Sequence, residues 1–303
     1  MQNRNFILDN VKDFHLYDTL ECGQCFHFQR TDSGINQGEF EYEIVYRDRV
    51  LHIKEEPSTN GVRLIFINTE EWEYQTIWKE YFDLERDYSV IKDKIIKADP
   101  RLEEILEENS GIRILNQDFF ETLISFIISQ NKQIPQIKQV VNNLSSELGT
   151  KFDVTMINRL SSEFDAFFPT VEQLYNATEE EVRASKCGFR APYIKDAAEK
   201  VYFGDINEDG LLRLETEEAR EKLMTIHGVG EKVANCVLLF GLGRTDAFPV
   251  DVWMKRICEH LYFDGDTPKS EIEAFAIDKF GDVAGYAQQY LFMYGQKHRI
   301  GTK

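Results

Sequence analysis

The sequence predicts an α+β fold, an antiparallel sheet followed by a helical body. Three observations carry that expectation. Apolar residues alternate in short runs through the first third, helical spacing takes over from about residue 118, and turn signals separate the early runs. Two parts follow: residues 1–117 as a sheet domain with connecting helices, and 118–303 as an all-helical domain.

In chain order, Gly23-Gln24-Cys25-Phe26-His27-Phe28-Gln29 alternates as a strand does. So do Phe40–Tyr46, Val50–Lys54 and Val62–Ile67. Ser33-Gly34, Arg47-Asp48-Arg49 and Pro57-Ser58-Thr59-Asn60-Gly61 mark the turns of a meander. Helices are expected from Trp72 to Tyr81 and from Tyr88 to Asn109, the latter interrupted at Pro100. Asp118 with Glu121 reads as a capping box opening a helix of Phe119, Phe120, Leu123, Phe126 and Ile127. Ile134 to Leu148 continues at helical spacing, and Thr170/Gln173 and Thr178/Glu181 are further cap signatures. Later helices are expected near 190–203, 216–225, 231–242, 251–262, 270–279 and 283–296.

Composition bounds the class. The 303 residues suffice for a real core, and 42% hydrophobic content excludes a disordered chain. No run approaches the length of a membrane span. Met1-Gln2-Asn3-Arg4-Asn5 lacks an export signal, and five cysteines, an odd number, suit a reducing compartment. The expectation is an unexported, cytoplasmic monomer. The net charge of −18 argues against a nucleic-acid binder. It is unevenly spread, however: residues 1–118 carry 14 basic and 25 acidic side chains, and residues 119–303 carry 21 and 28. Net charge describes the far field, so motifs must decide.

The most informative stretch is 216–242, where His227-Gly228-Val229-Gly230-Glu231-Lys232-Val233 sets Gly-x-Gly between two amphipathic helices. A tight helix–hairpin–helix turn needs glycine where φ is positive, and it leaves the amides opening the second helix free to bind a phosphate oxygen. Alone, this is equally an ordinary turn. Lys232 then lies in the first helical turn, where the dipole disfavours a cation, and partial desolvation there favours the neutral amine. Nineteen residues on, Pro249-Val250-Asp251 stops the chain and offers Asp251 as an N-cap, placing a carboxylate near Lys232 if the helices pack antiparallel. Separately these are a surface lysine and a plain cap. Together, at this spacing, they make a candidate site.

Gly-Val-Gly-x-Lys followed by Pro-Val-Asp resembles the helix–hairpin–helix DNA glycosylases, and more closely the eukaryotic-type 8-oxoguanine DNA glycosylases. Gly23-Gln24-Cys25-Phe26, Ser125–Asn131, Gly188-Phe189-Arg190-Ala191-Pro192-Tyr193 and Ala284-Gly285-Tyr286-Ala287-Gln288 fit the same family in order, over nearly the whole chain. The resemblance implies excision of 8-oxoguanine from duplex DNA, followed by β-elimination, with no cofactor and no metal. Lys232 would attack C1′ and leave a Schiff base, and Asp251 would stabilise the cationic sugar. The flipped base would lie between Cys236 and Phe292, with Gln288 on its Watson–Crick edge and the Gly23 carbonyl accepting from N7–H. Asn131, Gln136, Phe189, Arg190, Gly228, Gly230, Val233 and Trp253 would contact DNA, with Lys195 as a further candidate.

Three departures bear on the opposite base and its surroundings. Gln136 stands where the family often has arginine, Phe189 where tyrosine is usual, and Trp253 where histidine is frequent. Two rival readings are an enzyme for alkylated bases, which needs the aspartate but no lysine, and a non-catalytic DNA-binding protein. Retention of Lys232, Asp251 and the pocket residues weighs against both. Cys22-x-x-Cys25 has the spacing of a zinc or redox site, but no second pair completes it. Cys187, Cys236 and Cys258 are too scattered for an iron–sulfur cluster.

Overall fold

The computed structural model describes residues 5–31, 38–157 and 160–300. The proposed Ser33-Gly34 turn and most of the N-terminal Met1–Asn5 stretch lie outside the described residues. Among the described residues five strands form one antiparallel sheet in the order β1-β5-β4-β3-β2, where β1 is Phe6–Val11, β2 Phe28–Arg30, β3 Phe40–Tyr46, β4 Arg49–Ser58 and β5 Gly61–Ile67. The register sets Tyr42 opposite Ile53, Ile44 opposite Leu51 and Ile53 opposite Phe66, so these side chains share the buried face. That face packs on Leu16, Leu20, Tyr74, Trp78 and Phe82.

Several elements differ from expectation, the edge strand β1 among them. The 23–29 strand shrinks to Phe28–Arg30, because residues 22–27 form a loop in which Gly23 takes φ +79°. A short helix, Leu16–Glu21, precedes it. No side chain beside it caps that helix; instead Glu55, reaching from the core face of β4, accepts from the Leu16 N–H at 2.5 Å. Burial pushes the Glu55 carboxyl up to about 8, against the lowering by that bond.

On the other face of the sheet, Glu43 accepts from the backbone of Ser161 and Ser162 and from the Ser161 hydroxyl, at 2.8–2.9 Å. Burial alone would raise its carboxyl, but these bonds bring it below the usual range. They tie the sheet to the helical part of the chain.

Helices then match the spacing closely. Glu71–Glu73 and Lys79–Tyr81 flank a π turn at Tyr74–Trp78, and Pro100 separates Tyr88–Ala98 from Glu103–Glu108. The Asp118 carboxylate caps Phe119–Ser129 by accepting from the Glu121 N–H at 3.0 Å. The expected capping box is only half formed, since Glu121 turns towards buried His27, 3.6 Å away. Thr170 and Thr178 make full capping boxes. At the centre lies Glu231–Leu242, buried continuously from Val233 to Leu242. It packs on Phe119–Ser129, where Phe126 stacks on Phe240 at 5.4 Å between centroids. Val252–Tyr262, Lys269–Phe280 and Ala284–Lys297 complete this body. Among the described residues no helix is long and apolar enough to cross a membrane.

Candidate active site

The buried central helix decides where its first turn can go. Its apolar length must stay in the core, so Gly230, as N-cap, and Lys232 emerge at the core's edge. The hairpin before it is pinned from one side. Asp196 accepts from the His227 N–H at 2.7 Å, and the Tyr193 ring meets His227 at 4.6 Å. Gly228 has φ +80°, and a Cβ there would stand 2.4 Å from the Tyr193 ring. Gly230 is different: its φ is −105°, and nothing lies within 4 Å of where a Cβ would be. Only Gly228 needs the left-handed conformation, while Gly230 keeps the surface before the helix amides open. Gly228→Ala should therefore cost about 2–4 kcal/mol through the left-handed backbone and the ring clash. Chemical denaturation would read that loss, and a stability equal to wild type would show that the hairpin tolerates a side chain.

A groove of about 860 Å³ runs past this hairpin. Lys232 and Asp251 both line it, together with Asn131, Gln136, Phe189, Gly228, Gly230, Val233 and Trp253. Seven of the eight residues expected at DNA thus share one surface. Asp251 caps Val252–Tyr262, accepting from the Met254 N–H at 2.7 Å. It makes no ion pair with Lys232. The lysine Nζ instead donates to the Ser129 hydroxyl at 3.2 Å and lies 5.1 Å from the centre of the Phe126 ring. The Val233 side chain is buried, so its backbone is what the groove can use. Gln136 is exposed and accepts from the Gln133 N–H at 3.1 Å, leaving its amide NH2 to the groove. Phe189 stands out at the rim, half exposed.

Arg190 and Lys195 are placed otherwise. Arg190 is buried, donates to the Cys187 carbonyl at 3.1 Å and lies 4.2 Å from the Phe189 ring. It braces the exposed phenylalanine, and its Nε is buried without a partner among the described residues. Lys195 donates to the carbonyls of Leu174, Tyr175 and Ala177 at 2.5–2.9 Å. It closes the C-terminal end of Val171–Asn176 and is not available to a phosphate.

The four expected base contacts lie deeper. Cys236, one turn beyond Lys232, is buried, and burial pushes its thiol up to about 11. Gln288 is buried, with Oε1 lacking a hydrogen-bond partner among the described residues, an acceptor left open in the core. Phe292, four residues on, is partly buried. Gly23 faces it, since a Cβ on Gly23 would stand 3.5 Å from Phe292 Cε1 and 3.2 Å from Ile134 Cδ1. Gln24, fully buried, fixes this loop. Its Nε2 donates to the carbonyls of Thr19 and Arg113 at 2.7 and 2.8 Å, and its Oε1 accepts from the Leu115 N–H. Cys22 and Cys25 are both buried and unbridged, with the Cys22 thiol pushed up to about 12. That state suits packing and not metal or redox chemistry.

Charge is arranged around the groove in a way that sequence totals hide. Lys54, Lys79, Lys94, Lys151, Lys200 and Lys255 all pair with carboxylates and do not line the groove. Lys132 and Lys269 line the groove, and neither forms an ion pair among the described residues. Nothing in their sequence neighbourhood distinguishes them, since pairing depends on the fold. Ser129 was legible only as part of the Ser125–Asn131 motif, with no role of its own.

Residues 124–280, which hold the hairpin and the groove residues, match base excision DNA repair proteins of the HhH-GPD superfamily. Residues 6–123 match the N-terminal domain of 8-oxoguanine DNA glycosylase. The chain belongs to the 8-oxoguanine DNA glycosylase family of N-glycosylase/DNA lyases. The Arabidopsis thaliana N-glycosylase/DNA lyase OGG1 is 30% identical over 91% of this chain and 75% of its own length. Among solved structures, MBOgg1 in complex with a low-affinity DNA ligand superposes with a TM-score of 0.88 at 44% identity, covering 99% of this chain and all of that one. The Clostridium acetobutylicum 8-oxoguanine glycosylase/lyase, bound to double-stranded DNA with cytosine opposite 8-oxoguanine, gives 0.87 at 36% identity over 99% of both chains.

Proposed function

We propose that this protein excises 8-oxoguanine from duplex DNA with Lys232 as nucleophile and then cleaves the abasic strand by β-elimination. The observation that carries the proposal is that Lys232 and Asp251 meet on one groove beside the Gly228–Val233 hairpin. The hairpin amides hold a phosphate, and the damaged nucleotide is flipped towards the groove. Lys232 forms a bond to C1′ as the glycosidic bond breaks and the base leaves with the electron pair. The Asp251 carboxylate stabilises the positive charge that builds on the sugar. The amine then loses a proton, the C1′–O4′ bond breaks with O4′ taking up a proton, and the ring-opened Schiff base results; loss of a C2′ proton expels the 3′ phosphate from it.

Below the groove, the base lies between Cys236 and Phe292, and the open Gln288 acceptor reads its Watson–Crick edge. The Gly23 carbonyl accepts the N7–H that guanine lacks, which supplies the discrimination between the two bases. The division of the chain at residue 117 belongs to the same proposal: the first part supplies Gly23, the second everything else. Borohydride trapping on an 8-oxoguanine duplex tests the reading. A covalent adduct is expected, and base release without any adduct would point to a glycosylase that uses water.

Gln136 bears on the opposite base. A guanidinium donates to both O2 and N3 of cytosine, whereas an amide can bond to several bases without requiring one. Gln136→Arg should raise the preference for cytosine over adenine about tenfold, or ~1.4 kcal/mol. Single-turnover excision opposite all four bases measures it. An arginine variant no more selective than wild type would remove Gln136 from the opposite-base contacts.

A further inference from the structure

We infer that Ser129 is a positioning residue for the Lys232 amine, an inference that rests on the proposed role of Lys232 as nucleophile. Three elements surround the amine. From Phe119–Ser129 come the Ser129 hydroxyl, which accepts from Nζ at 3.2 Å, and the Phe126 ring face, 5.1 Å from Nζ. From its own helix comes the Cys236 thiol, held neutral by burial. From the start of Val252–Tyr262 comes the Asp251 carboxylate, engaged with the Met254 N–H. Glu231 and Glu273 line the groove farther along. Arg220 pairs with Glu273, which reduces that carboxylate's pull.

The serine is itself fixed. Its hydroxyl proton goes to the Phe126 carbonyl at 2.7 Å, so only its lone pairs remain for the lysine. A carboxylate at this position would favour the ammonium and suppress attack. A hydroxyl with its proton committed accepts from either ammonium or amine. It therefore sets where Nζ sits, and the face of the Phe126 ring bounds it from the other side. Such placement matters because displacement of a reacting atom by about 1 Å can cost a hundredfold in rate.

The test compares wild type, Ser129→Ala and Ser129→Thr in single-turnover excision and borohydride trapping on an 8-oxoguanine duplex, across the neutral and mildly alkaline range. Ser129→Ala should slow adduct formation about ten- to a hundredfold with DNA affinity unchanged. The loss should fall on the chemical step alone, with the rate at saturating enzyme reduced and the duplex dissociation constant at its wild-type value. Ser129→Thr, which keeps the hydroxyl, should restore the rate. Loss of packing alone would lower the melting temperature along with the rate, and the bulkier threonine would not rescue it. An alanine variant with the wild-type rate overturns the inference, as does a slowed variant that threonine does not restore. Should alanine lower the melting temperature, Ser129→Cys serves, since a thiol is a poor acceptor; a wild-type rate there also overturns it. Absence of an adduct with wild type would overturn the nucleophile reading itself, a separate result.

Discussion

Lys232→Gln is expected to abolish base release and strand cleavage while leaving lesion DNA bound. Glutamine keeps polarity and much of the length but cannot form an imine, so both steps that need a covalent bond to C1′ stop together. The drop in single-turnover rate should be at least about 10⁴. The side chain sits at the edge of the buried helix, with its hydrogen bond to Ser129 available to an amide as well. Folding should therefore be unaffected. Borohydride should trap wild type and not the variant. A glutamine variant that still releases base would assign the nucleophile elsewhere.

Asp251→Asn separates two roles that share one carboxylate. Asparagine caps a helix about as well as aspartate, so the bond to the Met254 N–H survives and stability should stay within about 1 kcal/mol of wild type. The negative charge proposed to stabilise the sugar is lost, and excision should slow about 10²–10³-fold, the usual cost of removing one electrostatic contact to a developing charge. Thermal melting and single-turnover excision on the same preparation read the two effects. Equal losses of stability and rate would reduce Asp251 to a helix cap.

The helical body was largely readable because its periodicity runs long and its caps are local. Thr216–Met224, Glu231–Leu242 and Ala284–Lys297 fall within a residue or so of their expected limits. What escaped depends on contacts far apart in sequence. β1 is an edge strand whose pairing shifts between Leu8 and Val11, which breaks its alternation. Leu16–Glu21 is short and receives its N-terminal bond from Glu55, thirty-nine residues away. The loop around Gly23 mimics a strand in its alternation, yet buried Gln24 ties it to residues 113–115. The same contrast holds at the site. Lys232 and Asp251 stand out because each sits where local rules ask for something else or something specific. Ser129, Lys132 and Lys269 do not, since a hydroxyl partner or an unpaired ammonium is a property of the assembled surface.

The two unpaired lysines in the groove have an expected kinetic consequence. Phosphate repels a strongly acidic protein at a distance, and most of its cations are neutralised where they stand. Lys132 and Lys269, neither in an ion pair among the described residues, line the groove beside the hairpin amides, and a DNA backbone is expected to meet attraction there. On the proposed reading, approach with the groove forward is expected to succeed more often than approach with another face forward. Few counterions should be displaced per encounter, and dwell on undamaged duplex is expected to be brief. Long stays would then be kept for nucleotides that leave the stack.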